Sequence, residues 1–179
     1  RALVGARGEV FTGPAENGVT RNITADPAAR DKDAAWSPDG TKIAYISDKS
    51  GEYEIYVADA QGAGEPRRIA RHDNGYRHTL RWSPDGKKIA FADQTLRFYY
   101  ADVETGRIVE VDRAEYEDVD VSLDLKPIND YAWSPDSRYL AISFLNENAV
   151  YVLDVENNDV RELGSAHSLG WIRGGVWSP

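Results

Sequence analysis

The sequence contains no cysteine and no methionine among its 179 residues, and it has only three histidines. Without cysteine there is no disulfide framework, no thiolate zinc site, no iron–sulfur cluster and no cysteine nucleophile. The histidines are His72, His78 and His167, and their neighbourhoods do not have the spacing of a metal-ligand set. We therefore expect neither a metal site nor a cofactor.

Positive charge is also scarce. The chain has 21 Lys and Arg against 30 Asp and Glu, which gives a formal net charge of −9 at pH 7. A negative surface repels phosphate backbones and anionic lipids, so we expect neither nucleic acid nor a membrane as a partner. No apolar run approaches the roughly 18 residues that span a bilayer, and the first residues lack the apolar stretch of a signal peptide.

A repeated turn motif is the clearest pattern in the chain. Trp-Ser-Pro-Asp-Gly at residues 36–40 recurs at 82–86, returns as Trp-Ser-Pro-Asp-Ser at 133–137, and starts again as Trp-Ser-Pro at 177–179. The four tryptophans are therefore 46, 51 and 44 residues apart. A period of this length is typical of repeat architectures such as propellers.

Short β-prone runs fill the spacing between the turns. Three such runs follow each of the first three tryptophans, and the residues that lead into each tryptophan supply a fourth. No helical period extends over more than a few residues. Four strands per unit of about 40 to 50 residues predict an all-β fold, a β-propeller built of four-stranded antiparallel blades.

The residues of the repeated turn suit a structural role. Pro has the fixed φ of a type I turn, the Asp carboxylate can bond nearby amides, and Gly permits a positive φ. We expect the large apolar tryptophans to wedge between neighbouring blades. The residues to which we assign this structural role are Trp36, Trp82, Trp133, Trp177, Asp39, Asp85 and Asp136.

The two ends of the chain together make one further blade. The first residues match the second, third and fourth strands of a blade, and residues 174–177 match the missing first strand. We therefore predict a single propeller module over residues 1–179. Its four blades are residues 1–25 with the exchanged strand 172–179, residues 30–71, residues 76–112 and residues 128–164.

Four blades per chain allow three kinds of ring. The chain closes on itself, two copies join head to tail into an eight-bladed ring, or the chain is an arc of a larger propeller. We favour the homodimeric ring of eight blades, since bulky Trp and Tyr side chains suit the shallow angle between the blades of a wide ring. Strand exchange would also remove exposed sheet edges.

The motif Trp-Ser-Pro-Asp-Gly-x-Lys-Ile-Ala-Tyr and the following residues 47–57 resemble the WD-like repeats of TolB-type propellers, the tricorn protease and prolyl-oligopeptidase relatives. Residues 7–12, 17–24 and 30–38 resemble the seven-bladed propeller of tricorn-type proteases more specifically. The similarity covers the whole chain, with about four of those blades present and a longer connection between Val111 and Tyr131.

The resemblance implies a function. In tricorn-type proteases the peptidase is a serine hydrolase on separate carboxy-terminal domains, and the propellers act as filters and channels for peptides. The implied role is a non-catalytic, cytoplasmic scaffold with peptide gating, whose partners are peptides and a second copy of the chain. The sequence agrees, because it has no phosphate loop, no zinc-protease motif and no nucleophile elbow.

One set of polar residues recurs at a fixed distance from the tryptophans. Residues four before each Trp are Lys32, His78, Asn129 and Arg173, and Arg77 is adjacent. Because the innermost strand of a blade leads into the Trp, we expect these side chains near one mouth of a central channel. Cationic and amide donors there would hold a peptide carboxylate or backbone. The alternative is that a channel rim is polar simply because it faces water.

Three other interpretations stay open at the level of the sequence. The first is a TolB-type binding module that docks a protein partner on a loop face. The second is a propeller hydrolase or lyase with its site in the channel, which no convergent cluster of carboxylates or histidines supports. The third is an excised or engineered fragment that only folds and self-assembles, since the chain ends at the turn that precedes the strand where it begins.

Overall fold

The computed structural model describes residues 1–70, 76–94, 97–113, 128–144 and 149–165. Fifteen β-strands lie in these ranges, and the described residues contain no helix. The predicted all-β class is therefore confirmed. A helix with the length and apolar character needed to cross a membrane is also absent from the described ranges.

The strands form four sheets, and each sheet is a run of strands consecutive in sequence. The first sheet has three strands, β1 (Ala2–Ala6), β2 (Glu9–Gly13) and β3 (Arg21–Asn22). The second has four, β4 (Asp31–Trp36), β5 (Lys42–Ser47), β6 (Glu54–Asp59) and β7 (Arg67–Ala70). The four sheets are the blades of a partial β-propeller, as the repeat predicts.

The third and fourth sheets also have four strands each. The third contains β8 (Arg77–Trp82), β9 (Lys88–Asp93), β10 (Arg97–Asp102) and β11 (Ile108–Arg113). The fourth contains β12 (Ile128–Trp133), β13 (Tyr139–Phe144), β14 (Ala149–Asp154) and β15 (Asp159–Ser165). In each four-stranded sheet the first strand leads into a repeat tryptophan, and we call β4, β8 and β12 the leading strands.

The chain divides into two compact units. The first unit comprises residues 1–95 and 99–109, and the second comprises residues 96–98 and 110–179. In the second unit the fourth sheet buries Leu140, Ile142 and Leu153 almost completely.

Two apolar clusters hold the first unit together, and β5 contributes to both. Ile43 and Tyr45 pack with Val10 of the first sheet, whereas Ala44 and Ile46 pack with residues of the third sheet, including Phe91. Alternate residues of a strand point to opposite faces. The second sheet is therefore buried on both faces, between its two neighbours, which explains why β5 is apolar along almost its whole length.

The repeated turns have the same geometry in all three described copies. In the first copy, the Ser37 hydroxyl donates to Asp39 Oδ1 at 2.6 Å, and the amide of Thr41 donates to the same oxygen at 3.0 Å. These bonds lower the pKa of Asp39 to about 2. The serine–aspartate bond recurs at residues 83–85 and 134–136, at 2.6 and 2.5 Å.

The last residue of the turn has a left-handed backbone conformation in every described copy. Gly40 has a φ of 68°, and the equivalent residues Gly86 and Ser137 have φ values of 69° and 63°. A side chain at such a φ is strained. Because Ser137 nevertheless adopts it, the serine–aspartate and backbone bonds, and not the glycine alone, determine the shape of the turn.

Candidate functional site

Two leading strands carry the same irregularity just before their tryptophan. In β4 the pairing with β5 shifts between Lys32 and Ala35, and Asp33 has a φ of 51°. In β8 the shift lies between residues 78 and 81, and Thr79 has a φ of 58°. These are β-bulges, which bend a strand and redirect the side chains beside them.

The bulge in β4 lies beside a lysine enclosed by two tyrosines. Lys32 Nζ is 2.8 Å from the ring centroid of Tyr76 and 4.6 Å from that of Tyr53, and it donates to the carbonyl oxygen of Arg77 at 3.2 Å. The two rings meet edge to face, with centroids 5.1 Å apart. We call these four residues the lysine cage. It joins the second and third sheets, which meet within the first unit.

The electrostatics of the lysine cage leave a charged donor available near neutral pH. Burial lowers the pKa of Lys32 to about 8, so the ammonium form predominates at pH 7. An ammonium group has three N–H donors, and one of them is used by the Arg77 carbonyl. Lys32 is half-buried and Tyr76 is 45% exposed, so the lysine cage is partly open to solvent on the Tyr76 side. The arrangement can bind an oxyanion or a carbonyl oxygen against aromatic walls.

The side chain of Arg77 is buried, and it contacts the backbone of Tyr53 in the lysine cage. Its side chain is 1% exposed, and its Nη1 donates to the carbonyl oxygen of Tyr53 at 2.5 Å. Its guanidinium also lies 5.9 Å from the ring centroid of Phe91. Burial lowers the pKa of Arg77, and the carboxylates of Glu54 and Asp93 oppose that shift. Arg77 thereby positions Tyr53 and offers its own carbonyl to Lys32.

Both of these carboxylates are buried and hydrogen bonded. Asp93 is 3% exposed and accepts a hydrogen bond from the Tyr99 hydroxyl at 3.1 Å. Glu54 is 4% exposed and pairs with Arg68 at 2.9 Å. A buried charge is tolerated only with such partners. Both acids lie close enough to stabilise the charge of Arg77, and Glu54 also has Arg68 as its partner.

The residue equivalent to Arg77 in the second sheet is an acid. Asp31 lies five residues before its tryptophan, as Arg77 does, and is 4% exposed. It accepts hydrogen bonds from Ser47 and Thr24, but its Oδ2 has no partner in the described structure. Burial raises the pKa of Asp31. The position five residues before the tryptophan therefore holds a buried ionisable side chain in both sheets, acidic in the second sheet and basic in the third.

Of the five predicted rim residues, the structure brings Lys32 and Arg77 together. The backbones of His78 and Asn129 lie in β8 and β12, but their side chains lie outside what the structure describes. Arg173 is outside the described residues altogether. The assignment of a channel rim therefore stays a prediction.

Two of the repeat tryptophans, Trp36 and Trp82, lie at the apolar clusters of the first unit. Trp82 is 8% exposed, and its Nε1 donates to the carbonyl oxygen of Ala35 in the neighbouring sheet at 3.2 Å. Trp36 packs against the cluster between the first and second sheets. Trp133 is 9% exposed, and Trp177 lies outside the described residues. Trp82 thus satisfies a backbone carbonyl next to the bulge in β4.

Sequence reasoning did not find Tyr53 and Tyr76. Tyr76 lies six residues before Trp82, where the other three repeats have Arg30, Pro127 and Trp171. An aromatic residue therefore recurs at this position in only one other repeat, which does not single out Tyr76. Tyr53 directly precedes β6. The sequence gives one weak indication of this site: an aromatic residue, Tyr76, stands next to a cationic residue, Arg77, where the leading strand β8 begins.

In the described ranges, no group of three or more His, Asp or Glu side chains is arranged to hold a metal ion. The lysine cage and the buried acids around Arg77 are therefore the polar features that stand out in the first unit.

Comparison with known proteins extends these observations. A family model described as the tricorn protease second beta propeller domain matches residues 1–169. The crystal structure of the tricorn protease superposes with a TM-score of 0.72 at 19% identity, over 89% of this chain and 15% of that chain. The putative TolB of Agrobacterium tumefaciens superposes with a TM-score of 0.65 at 20% identity, over 91% and 57%.

TolB from Acinetobacter baumannii also superposes, with a TM-score of 0.60 at 19% identity, over 90% of this chain and 40% of that chain. The chain thus spans less than two thirds of each of these three solved chains. At such identities the likeness to the solved structures concerns the fold.

Proposed function

Because this chain belongs to the family of the tricorn protease second beta-propeller domain, we propose that it is a non-catalytic scaffold that gates the passage of peptides. The resemblance to tricorn-type propellers expected from the sequence is confirmed by the family match. The proposal places the chain in a cytoplasmic peptide-degrading assembly, with peptides as its ligands. The single observation that carries it is the lysine cage.

The lysine cage has the chemistry that a peptide requires. Lys32 offers N–H donors to a terminal carboxylate or to a backbone carbonyl, and charge-assisted bonds of this kind are among the stronger ones in proteins. Tyr53 and Tyr76 offer flat apolar faces with low conformational entropy. Since the cage recognises features common to all peptides, it suits a gate better than a selective receptor.

We expect short peptides with a free terminal carboxylate to bind the chain in isothermal titration calorimetry. Neutralising the predicted rim with Lys32→Gln, His78→Gln and Arg173→Gln together is expected to weaken binding about tenfold or more, since charged hydrogen bonds are lost. Binding is also expected to weaken as the pH rises through about 8, where Lys32 loses its proton. Lys32→Gln alone is expected to remove this pH dependence.

Lys87→Gln is the matched control for the single variant Lys32→Gln. Lys87 is exposed in the second repeated turn, so its removal changes the net charge without touching the lysine cage. Peptide affinity that is the same in the triple variant as in the wild type, or no affinity in the wild type, removes the proposal.

We propose, as a second role, self-assembly through the first sheet. That sheet has three strands, and the described residues provide no partner for β1 opposite β2. Residues 172–179, which lie outside the described residues, have the pattern of a leading strand. On this proposal they complete the first sheet of a second copy, so that two chains form one ring of eight blades.

A further inference from the structure

A cavity of about 220 Å³ lies beside the first sheet, away from the lysine cage. The side chains of Arg1, Arg21 and Gln61 line it, together with residues of the loop that joins β2 to β3. Gln61 belongs to the connection between β6 and β7 of the second sheet. The cavity therefore lies where two neighbouring sheets of the first unit meet.

Gln61 holds the two arginines side by side. Arg21 Nη1 donates to both the backbone oxygen and the Oε1 atom of Gln61 at 3.1 Å. Arg1 Nη2 reaches the same Oε1 atom at 3.4 Å. A guanidinium carries five N–H donors in a planar fork. Most of these donors remain available to a ligand in the cavity.

The charge of the cavity is opposite to that of the whole chain. Its lining includes two arginines and no acidic residue, although acidic residues outnumber basic ones in the sequence. The ion pairs of the described residues involve other cations, such as Lys49 and Arg68. Arg1, Arg21 and Gln61 are exposed, so water screens the repulsion between the two guanidinium groups, but both groups still attract an anion bound between them.

We propose that this cavity is an oxyanion-binding site that takes the carboxylate or phosphate group of a small molecule. Arginine forks match the geometry of both groups and bind them with two parallel hydrogen bonds. This volume of about 220 Å³ is well above the roughly 10–15 Å³ that one water molecule needs on the same measure. It therefore accommodates inorganic phosphate or a short dicarboxylate.

A purely structural role for Arg21 predicts a different outcome. If Arg21 only ties the first sheet to Gln61, its replacement lowers the free energy of unfolding but leaves anion affinity unchanged. If the cavity is a binding site, its loss weakens anion binding by a factor well beyond the change in stability. Both quantities can be measured on the same variants.

The test is isothermal titration calorimetry of the whole chain at pH 7 and low ionic strength, with inorganic phosphate and with succinate as separate probes. We expect saturable binding of at least one of these anions. The anion that binds with higher affinity shows whether the site prefers phosphate or carboxylate groups. Arg21→Gln is expected to weaken it about tenfold or more, because charged hydrogen bonds are lost. Arg21→Lys keeps the charge but lacks the fork, so an intermediate affinity is expected.

Arg161→Gln is the matched control. Arg161 is exposed and pairs with Asp159 in the fourth sheet, so the variant has the same change in net charge as Arg21→Gln and is expected to bind like the wild type. Thermal unfolding verifies that each variant is folded. No saturable heat from either anion, or wild-type affinity in folded Arg21→Gln, overturns the proposal.

Discussion

Replacing Arg77 with methionine is expected to lower the free energy of unfolding by about 3–5 kcal/mol. Arg77 is 1% exposed and lies among the buried carboxylates of Glu54 and Asp93. Methionine fills much of the volume, but it leaves buried acidic groups with less compensating charge, and an uncompensated buried charge is costly. Urea unfolding followed by tryptophan fluorescence measures the change.

The control for this variant is Arg161→Met. Arg161 forms an exposed ion pair with Asp159, with side-chain exposures of 79% and 48%, and such pairs contribute at most about 1 kcal/mol. Adding Asp93→Asn to the Arg77 variant is expected to recover part of the loss, because the two residues interact. A loss below about 1 kcal/mol in Arg77→Met would show that the guanidinium does not stabilise this buried network.

Replacing Gly106 with alanine is expected to lower the free energy of unfolding by about 2–5 kcal/mol, the sum of a conformational and a steric cost. Gly106 lies in the turn between β10 and β11 with a φ of 75°, and a Cβ atom there would collide with the carbonyl oxygen of Ile69 in the neighbouring sheet. Arg67 anchors the same turn by donating to the carbonyl oxygens of Val103 and Glu104. The turn therefore cannot move aside without breaking these bonds.

Gly5→Ala is the matched glycine control. Gly5 lies in β1 and is exposed, and a Cβ atom added to it would meet no other atom within 4 Å. Its replacement is expected to change the free energy of unfolding by less than about 0.5 kcal/mol. Equal losses in the two alanine variants would mean that the contact between Gly106 and Ile69 does not constrain the two sheets.

The repeated turn can be predicted from the sequence because its interactions are local. Ser37, Asp39 and Thr41 are close in the chain, and their hydrogen bonds depend on no distant element. The three described turns each lie between the first and second strands of a four-stranded sheet, so each turn in the sequence marks a sheet. The propeller class depends on these local features and is therefore accessible from the sequence.

The lysine cage is only partly accessible from the sequence. Lys32 can be chosen because it holds a fixed place in the repeat. Tyr53 and Tyr76 belong to different repeats, and the positions equivalent to Tyr76 hold Arg30, Pro127 and Trp171. Arg77 enters the predicted rim only because it is adjacent to His78 in the chain. Adjacent residues of a strand point to opposite faces, so the buried side chain of Arg77 need not lie with that of His78.

A passage for peptides requires a closed ring of blades, and the proposed ring contains two chains. Size-exclusion chromatography with multi-angle light scattering measures the native mass. We predict about 40 kDa, twice the 19.9 kDa of one chain, for a ring with two-fold symmetry. The mass of a single chain at every concentration would contradict the two-chain ring and the passage that it is proposed to enclose.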